Sequence, residues 1–305
     1  MDPLRAAVVG IGYFGSRHAN QLSQLPGVQL EYLVDIDLKR AQEAAARLGA
    51  RATTDLLELA GRVDVATIAV PTQQHADVAG RLLDAGIHLL VEKPLSATVD
   101  EADRLVGTAR AKGLTLCVGH LERFNPVFTA VRDRVTAPRF IESHRLAPFS
   151  LRGTDADVVL DLMIHDLDII LSLVDSPVRE VRADGAAVLS GGIDIANARI
   201  EFENGCTANV TASRISAKSM RKLRVFQPDC YLSIDFRDRT VDIARAAPKS
   251  GGSIPEVLLE HAEYPEGDAL RAELAAFIDV VRGHDRFAVS GQDALRALEL
   301  ALAIN

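Results

Sequence analysis

Cysteine is scarce in this 305-residue chain: Cys117, Cys206 and Cys230 are odd in number, far apart and in no metal-ligand spacing. That usage excludes a disulfide scaffold and points to reduced thiols in a cytoplasmic setting. Positive charge is also in deficit, with 34 Lys and Arg against 42 Asp and Glu and a formal net charge of -8. Such a chain has no overall electrostatic pull toward phosphate backbones or anionic lipid, so nucleic acid and membrane surfaces are not expected partners. Long hydrophobic runs are missing as well. The apolar stretches at 65–70 and 158–160 fall far short of the ~20 residues that a spanning helix needs. The first residues lead into a strand and a glycine turn without the apolar region of a signal peptide, so a soluble intracellular protein is expected. What remains is ordinary: 48% hydrophobic, 25% charged, 21 Gly and 12 Pro, a composition that rules out collagen-like and disordered chains.

At roughly 100 to 200 residues per domain the length suggests two domains. Short β-branched runs at 6–9, 30–34, 65–70, 88–92 and 114–118 alternate with Ala-, Leu- and Arg-rich stretches of helical spacing. Alternation of this kind predicts βαβ units and a mostly parallel, doubly wound sheet. After Phe124-Asn125-Pro126 the texture changes. A helix over 158–174 precedes consecutive strands at 198–202, 207–211, 222–226, 231–236 and 240–244, with Glu203-Asn204-Gly205 as a hairpin turn. The expected fold class is therefore α/β: a Rossmann domain over 1–122, then an α+β domain over 123–305 with a largely antiparallel open sheet. Residues 248–254 read as a soft loop, and 269–305 as two helices that close the second domain.

Gly10-Ile11-Gly12-Tyr13-Phe14-Gly15 follows the first strand and opens a helix. In that context Gly10 permits the tight turn, Gly12 lets the backbone approach a pyrophosphate, and Gly15 allows close helix–strand packing. The pyrophosphate is expected on the helix N-terminus, drawn by free N–H groups and the helix dipole. Asp35 ends the second strand 20 residues after Gly15, where its carboxylate can accept from ribose hydroxyls and repel a 2′-phosphate. NAD is thus favoured over NADP, although Lys39 and Arg40 lie close by and counter that preference if they face the ribose.

The fourth strand of this pattern ends in Val91-Glu92-Lys93-Pro94. A Rossmann domain with Glu-Lys-Pro at that place resembles the Gfo/Idh/MocA oxidoreductases. Pro71-Thr72 with His75, and Asp161 with His165, agree with the resemblance, which covers essentially the whole chain. It implies a nicotinamide dehydrogenase of sugar-like alcohols. Its second domain would supply the substrate floor and the interface of a homodimer or homotetramer. Two segments, His120–Pro126 and Asp161–Asp168, further resemble the UDP-N-acetylglucosamine 3-dehydrogenases, a branch whose 3-keto sugar nucleotide goes to an aminotransferase on the way to lipid A. The commoner family pattern carries a glycine between the Asp and the His, a stretch where this chain has Met163.

Alcohol oxidation needs a hydride acceptor and a group that takes the hydroxyl proton. Lys93 is a candidate to hold the substrate oxygen or accept its proton at the carboxyl ends of the strands. Asp161, His165 and Asp168 fall at i, i+4 and i+7, and so share one face of a regular helix. His165 is the alternative proton acceptor, Asp161 an orienting or substrate-binding carboxylate, and Asp168 a surface or orienting residue. No further ligand completes a metal set around them. Pro71, Thr72, His75 and Glu92 are candidates to line the nicotinamide half of the cofactor, together with Tyr13 and Phe14 beside the glycines. Arg123, Asn125, Arg145 and Arg152 are candidates for the diphosphate and sugar of the substrate, Asn125 being equally suited to start the turn at Pro126. Two other readings stay open: a dehydrogenase of a free polyol such as inositol, and a non-catalytic sensor of NAD redox state.

Overall fold

A computed structural model of the chain describes residues 2–150, 157–228, 230–247, 257–284 and 288–305. The expected loop at 248–254 and Arg152 lie outside the described residues. The chain divides into two compact units, residues 1–121 with 269–298, and residues 122–268 with 299–305.

In the first unit β1 (Leu4–Val9), β2 (Val28–Val34), β3 (Arg51–Thr53), β4 (Val65–Ile68), β5 (His88–Glu92) and β6 (Leu116–Gly119) make one sheet in the order β3-β2-β1-β4-β5-β6. Every strand pair in it is parallel. All four residues of β4 and the last four of β1 are buried, as expected for strands covered on both faces. The crossovers carry α1 (Tyr13–Leu22), α2 (Leu38–Leu48), α3 (His75–Asp84) and α4 (Val99–Lys112). Local chemistry sets their ends. The Asp37 side chain caps α2 by accepting from Lys39 N and Arg40 N, and Thr98 with Glu101 forms a reciprocal capping box on α4. Strand order reverses between β1 and β4, leaving a crevice at their carboxyl ends where ligands of such sheets bind.

One expectation about the tail is corrected. α7 (Ala269–Val281) belongs to the first unit: Leu270, Leu274, Phe277 and Ile278 share a core with Ala19 and Leu22 of α1. α8 (Gly291–Ile304) belongs to that unit as far as Leu298. The apolar side of α7 thus completes the Rossmann unit, and the two tail helices do not simply close the second one.

The second unit opens with α5 (Pro126–Val131) and β7 (Phe140–Leu146). A single π turn over Val159–Met163 then leads into α6 (Ile164–Leu173). The strands β8 (Val178–Ala186), β9 (Ile195–Phe202), β10 (Thr207–Ser213), β11 (Met220–Phe226), β12 (Cys230–Asp235), β13 (Thr240–Ala246) and β14 (Val257–Glu263) follow. With β7 they form an eight-stranded sheet in the order β14-β13-β12-β11-β7-β10-β9-β8. Its pairs are antiparallel except β7 with β10. The hairpin turn between β9 and β10 falls at residues 203–205, where Gly205 takes φ 84° and Asn204 Oδ1 accepts from Cys206 N at 3.0 Å. Residues 141, 143 and 145 of β7 are buried on the side that α6 covers, so a polar serine and an arginine stand among the core positions.

Candidate active site

The glycine turn has the geometry its spacing requires. Gly10 takes φ 87°, and a Cβ there would lie 2.7 Å from the carbonyl oxygen of Ala69. A Cβ on Gly15 would fall 1.7 Å from Gly10 O, so only glycine lets α1 start this close to β1. At Gly12 the space is open, with nothing within 4 Å of a built Cβ. Gly12 is also the N-cap of α1 and supplies no side-chain cap, a helix start whose dipole suits an anion.

Asp35 is buried at the end of β2. Its Oδ2 accepts from Ile11 N at 2.7 Å, and its Oδ1 accepts from Asp37 N at 2.9 Å. Arg40 Nη1 stands 3.3 Å from both carboxylate oxygens. The carboxylate therefore anchors the glycine turn from behind and presents its remaining lone pairs forward. It faces a cavity of about 640 Å³ whose walls include Gly10, Gly12, Asp35, Arg40, Pro71 and Arg81. Of the expected cofactor residues, this cavity gathers Gly10, Gly12, Asp35 and Pro71. Gly15 acts through packing, and Thr72 opens a short 3₁₀ turn before α3. Tyr13 and Phe14 are more than half exposed and meet edge to face at 5.2 Å. Sequence reasoning missed the far wall of the cavity, Gln73, Gln74, Asp77 and Arg81, because nothing in their spacing marks it.

Lys93, partly buried, follows directly on β5, and the Lys93–Pro94 peptide is cis. Glu92 beside it accepts from His18 Nε2 at 2.9 Å through Oε1, and from the backbone N–H of Lys93 at 3.3 Å through Oε2. Burial by itself would raise the Glu92 pKa, but the hydrogen bond and charge of His18, with Lys93, hold it below the usual carboxylate range. His75 is not a wall of the cavity. It is buried, with Nδ1 2.8 Å from Pro94 O and Nε2 2.9 Å from Val70 O. Burial pulls its pKa down, against the raising effect of the two carbonyls.

In the second unit the structure shows the partners of the residues expected to meet the substrate. Arg123 is buried and gives a two-pronged pair to Asp168, Nε to Oδ2 at 2.6 Å and Nη2 to Oδ1 at 2.8 Å. Arg145 is equally buried, bonding Asp166 through Nε at 2.7 Å and Nη2 at 3.1 Å, and Glu122 through Nη1 at 2.9 Å. Burial opposes the charge on Arg145, yet Asp166 and Glu122 raise its pKa above the ordinary value. These guanidiniums are committed to carboxylates within the fold, a poor starting point for a diphosphate site. Asn125 caps α5 by accepting from Val127 N at 3.3 Å, and donates to Glu122 at 3.1 Å and to Phe236 O at 3.0 Å, so its amide serves the turn at Pro126. Asp168 is no surface residue but the partner of Arg123, and the carboxylate that sequence reasoning missed is Asp166. The reason is that its partner Arg145 lies 21 residues away in the chain and on a strand, so only the fold brings the two together. Asp161 lies within the π turn and His165 is the second residue of the regular helix after it, both partly buried.

A parallel sheet in this strand order, a glycine turn on an uncapped helix and a carboxylate behind the turn define a dinucleotide-binding oxidoreductase fold. The chain belongs to the Gfo/Idh/MocA family. Its residues 4–120 match the model described as the oxidoreductase family, NAD-binding Rossmann fold, and residues 132–229 match the family's C-terminal domain. It is 37% identical to the UDP-N-acetylglucosamine 3-dehydrogenase of Acidithiobacillus ferrooxidans, over 100% of this chain and 97% of that one. A solved structure of that enzyme superposes with a TM-score of 0.93, again over 100% and 97% of the two chains. The scyllo-inositol 2-dehydrogenase (NAD(+)) of Bacillus subtilis is 27% identical over 98% and 92%. GenD2 from gentamicin A biosynthesis, solved with NAD, shares the fold at a TM-score of 0.84 and 22% identity, over 99% and 93%. NAD is the cofactor, and the open space at Gly12, the uncapped start of α1 and the forward lone pairs of Asp35 suit its pyrophosphate and ribose.

Proposed function

We propose that the protein oxidises a hydroxyl of a sugar nucleotide to a ketone, and that this hydroxyl is the one on C3 of UDP-N-acetylglucosamine. The observation that carries this reading is the full-length similarity to an enzyme of that activity, at 37% identity and a TM-score of 0.93, against 27% for an inositol dehydrogenase. Bound NAD supplies the hydride acceptor. The chain's own residues handle the proton: Lys93 holds the substrate oxygen by its ammonium or, once deprotonated, takes the hydroxyl proton. His165 is the alternative acceptor, with Asp161 orienting it or holding a sugar hydroxyl. Single substitutions separate the two, because the pH–kcat profile loses its acid limb only when the titrating base is removed.

In this reading the 3-keto product passes to an aminotransferase on the way to a lipid A amino sugar, the enzyme works in the cytoplasm, and it assembles as a homodimer or homotetramer. Among the described residues no helix is long and apolar enough to cross a membrane. A second reading, a free polyol or sugar such as an inositol, is favoured by the commitment of Arg123 and Arg145 to buried carboxylates. Comparing kcat/KM for UDP-N-acetylglucosamine and myo-inositol decides between them. A preference for the nucleotide sugar supports the first reading, and turnover of the inositol alone replaces it with the second.

A further inference from the structure

Lys93 is flanked by two residues, each tied to a buried imidazole from a different helix. On one side Glu92 accepts from His18 Nε2 on α1 at 2.9 Å, and its second oxygen holds the Lys93 backbone N–H at 3.3 Å. On the other side Pro94 O lies 2.8 Å from His75 Nδ1 at the start of α3, and the same ring reaches Val70 O at 2.9 Å. His18 and His75 are both 1% exposed or less. Gly119, the neighbour of Glu92 across β5 and β6, leaves room for the carboxylate, since a Cβ there would lie 3.1 Å from Glu92 Oε2.

None of His18, His75 and Glu92 lines the cofactor cavity. A partly buried carboxylate and two buried imidazoles in a sheet-and-helix layer are costly where aliphatic side chains would pack well. Their bonds converge on the two neighbours of a single lysine and tie it to α1, which starts at the pyrophosphate turn, and to the start of α3, which follows the Val70–Pro71 end of the cavity. We infer that His18, acting through Glu92, and His75, acting through Pro94, are positioning residues that fix Lys93 relative to the bound dinucleotide. This rests on the reading of Lys93 as the group that holds the reacting oxygen. The three-residue span Glu92–Pro94 is a clamp whose two jaws report to the two cofactor-binding loops.

The test uses His18→Leu and His75→Leu, which delete the hydrogen bonds, beside His18→Gln and His75→Gln, which restore a donor at similar reach. Each leucine variant is expected to bind NAD with an affinity within about twofold of the parent, as measured by calorimetry, while kcat falls by about 10²-fold. The pH–kcat profile should shift in the leucine variants and return toward the parent's in the glutamines. Should a leucine variant not fold, Glu92→Gln carries the same test, since it keeps the side-chain volume and removes the charge. A second readout needs no turnover. With lysines reductively methylated by ¹³C-formaldehyde and Lys93 assigned through Lys93→Arg, the Lys93 signal should titrate at a displaced pH in His18→Leu and His75→Leu only. Unchanged kcat, pH profile and Lys93 titration in folded variants would overturn the clamp, as would glutamines no better than leucines. If Lys93→Met itself retains full activity, the catalytic reading of Lys93 fails instead, and the two failures are told apart.

Discussion

Replacing Asp166 with alanine removes two hydrogen bonds of 2.7 and 3.1 Å from a guanidinium that has almost no contact with water. Among the described residues Arg145 then keeps only Glu122, at 2.9 Å, and cannot shed its proton to escape the cost. Breaking one side of a buried pair costs about 3–5 kcal/mol because the other charge is left uncompensated. Against a total stability of about 5–15 kcal/mol that is a large share, and with a urea m-value near 3 kcal/mol/M it should lower the midpoint by about 1 to 2 M. The double substitution Arg145→Met with Asp166→Leu removes both charges and should regain part of the loss, because an apolar replacement of a buried pair is often neutral. Recovery should be incomplete, since among the described residues Glu122 would retain only Arg221, at 3.5 Å, and Asn125, at 3.1 Å. The assay is urea unfolding followed by circular dichroism, with KM for the sugar nucleotide measured on the folded double variant. A loss below about 1 kcal/mol in Asp166→Ala would refute the structural role argued here. So would a double variant of near-parental stability whose only defect is a KM raised more than about tenfold, for then Arg145 would be a substrate ligand after all.

Three further outcomes follow from the first unit and the titrating groups. Gly10→Ala places a Cβ 2.7 Å from a backbone oxygen at φ 87°, so calorimetry should show NAD affinity reduced by at least about tenfold. Asp35→Ser removes the charge facing the ribose and leaves Arg40 in place, so the ratio of kcat/KM for NADP over NAD should rise by about tenfold or more. Loss of that gain in Asp35→Ser with Arg40→Ala would identify Arg40 as the residue that donates to the 2′-phosphate. Burial holds His75 and His88 below 6.5, so their neutral forms favour the fold, and this contribution, full above pH 6.5, is lost as the pH falls through that value toward their lowered pKa values. Glu92 and Glu122 are held below 4.5, against the raising effect of burial, by His18 and Arg145 respectively, and their contribution is lost at more acid pH still. Melting temperatures should therefore decline from pH 7 to 5 and more steeply below 4.5; a flat profile down to pH 4 would contradict this.

The parallel sheet was legible because buried strands, glycine turns and helical stretches alternate with little ambiguity, and because Asp35 stands where the second strand must end. β3 escaped notice because it is three residues long, and β7 because Glu142, Ser143, His144 and Arg145 do not look like a strand until their partners are known. The same polar residues explain why the ion pairs of the second unit were not foreseen. A guanidinium reads alike in sequence whether it waits for a phosphate or is already paired, and only the fold brings Arg145 to Asp166 and Arg123 to Asp168. His18 was missed for the mirror reason: it sits within α1 with no neighbour in sequence, and its partner Glu92 is 74 residues away. α7 looked like part of the second domain because it follows it in the chain, whereas its apolar face completes the core beneath α1.

Incubating the purified protein with NAD and UDP-N-acetylglucosamine in the presence of hydrazine, which traps a ketone and draws an uphill oxidation forward, tests whether this sugar nucleotide is oxidised at C3. Reduced cofactor should accumulate in step with a hydrazone of the intact sugar nucleotide, and deuterium placed at C3 should appear in the cofactor. NAD binding without reduction, or deuterium retained at C3, would rule out oxidation of that hydroxyl.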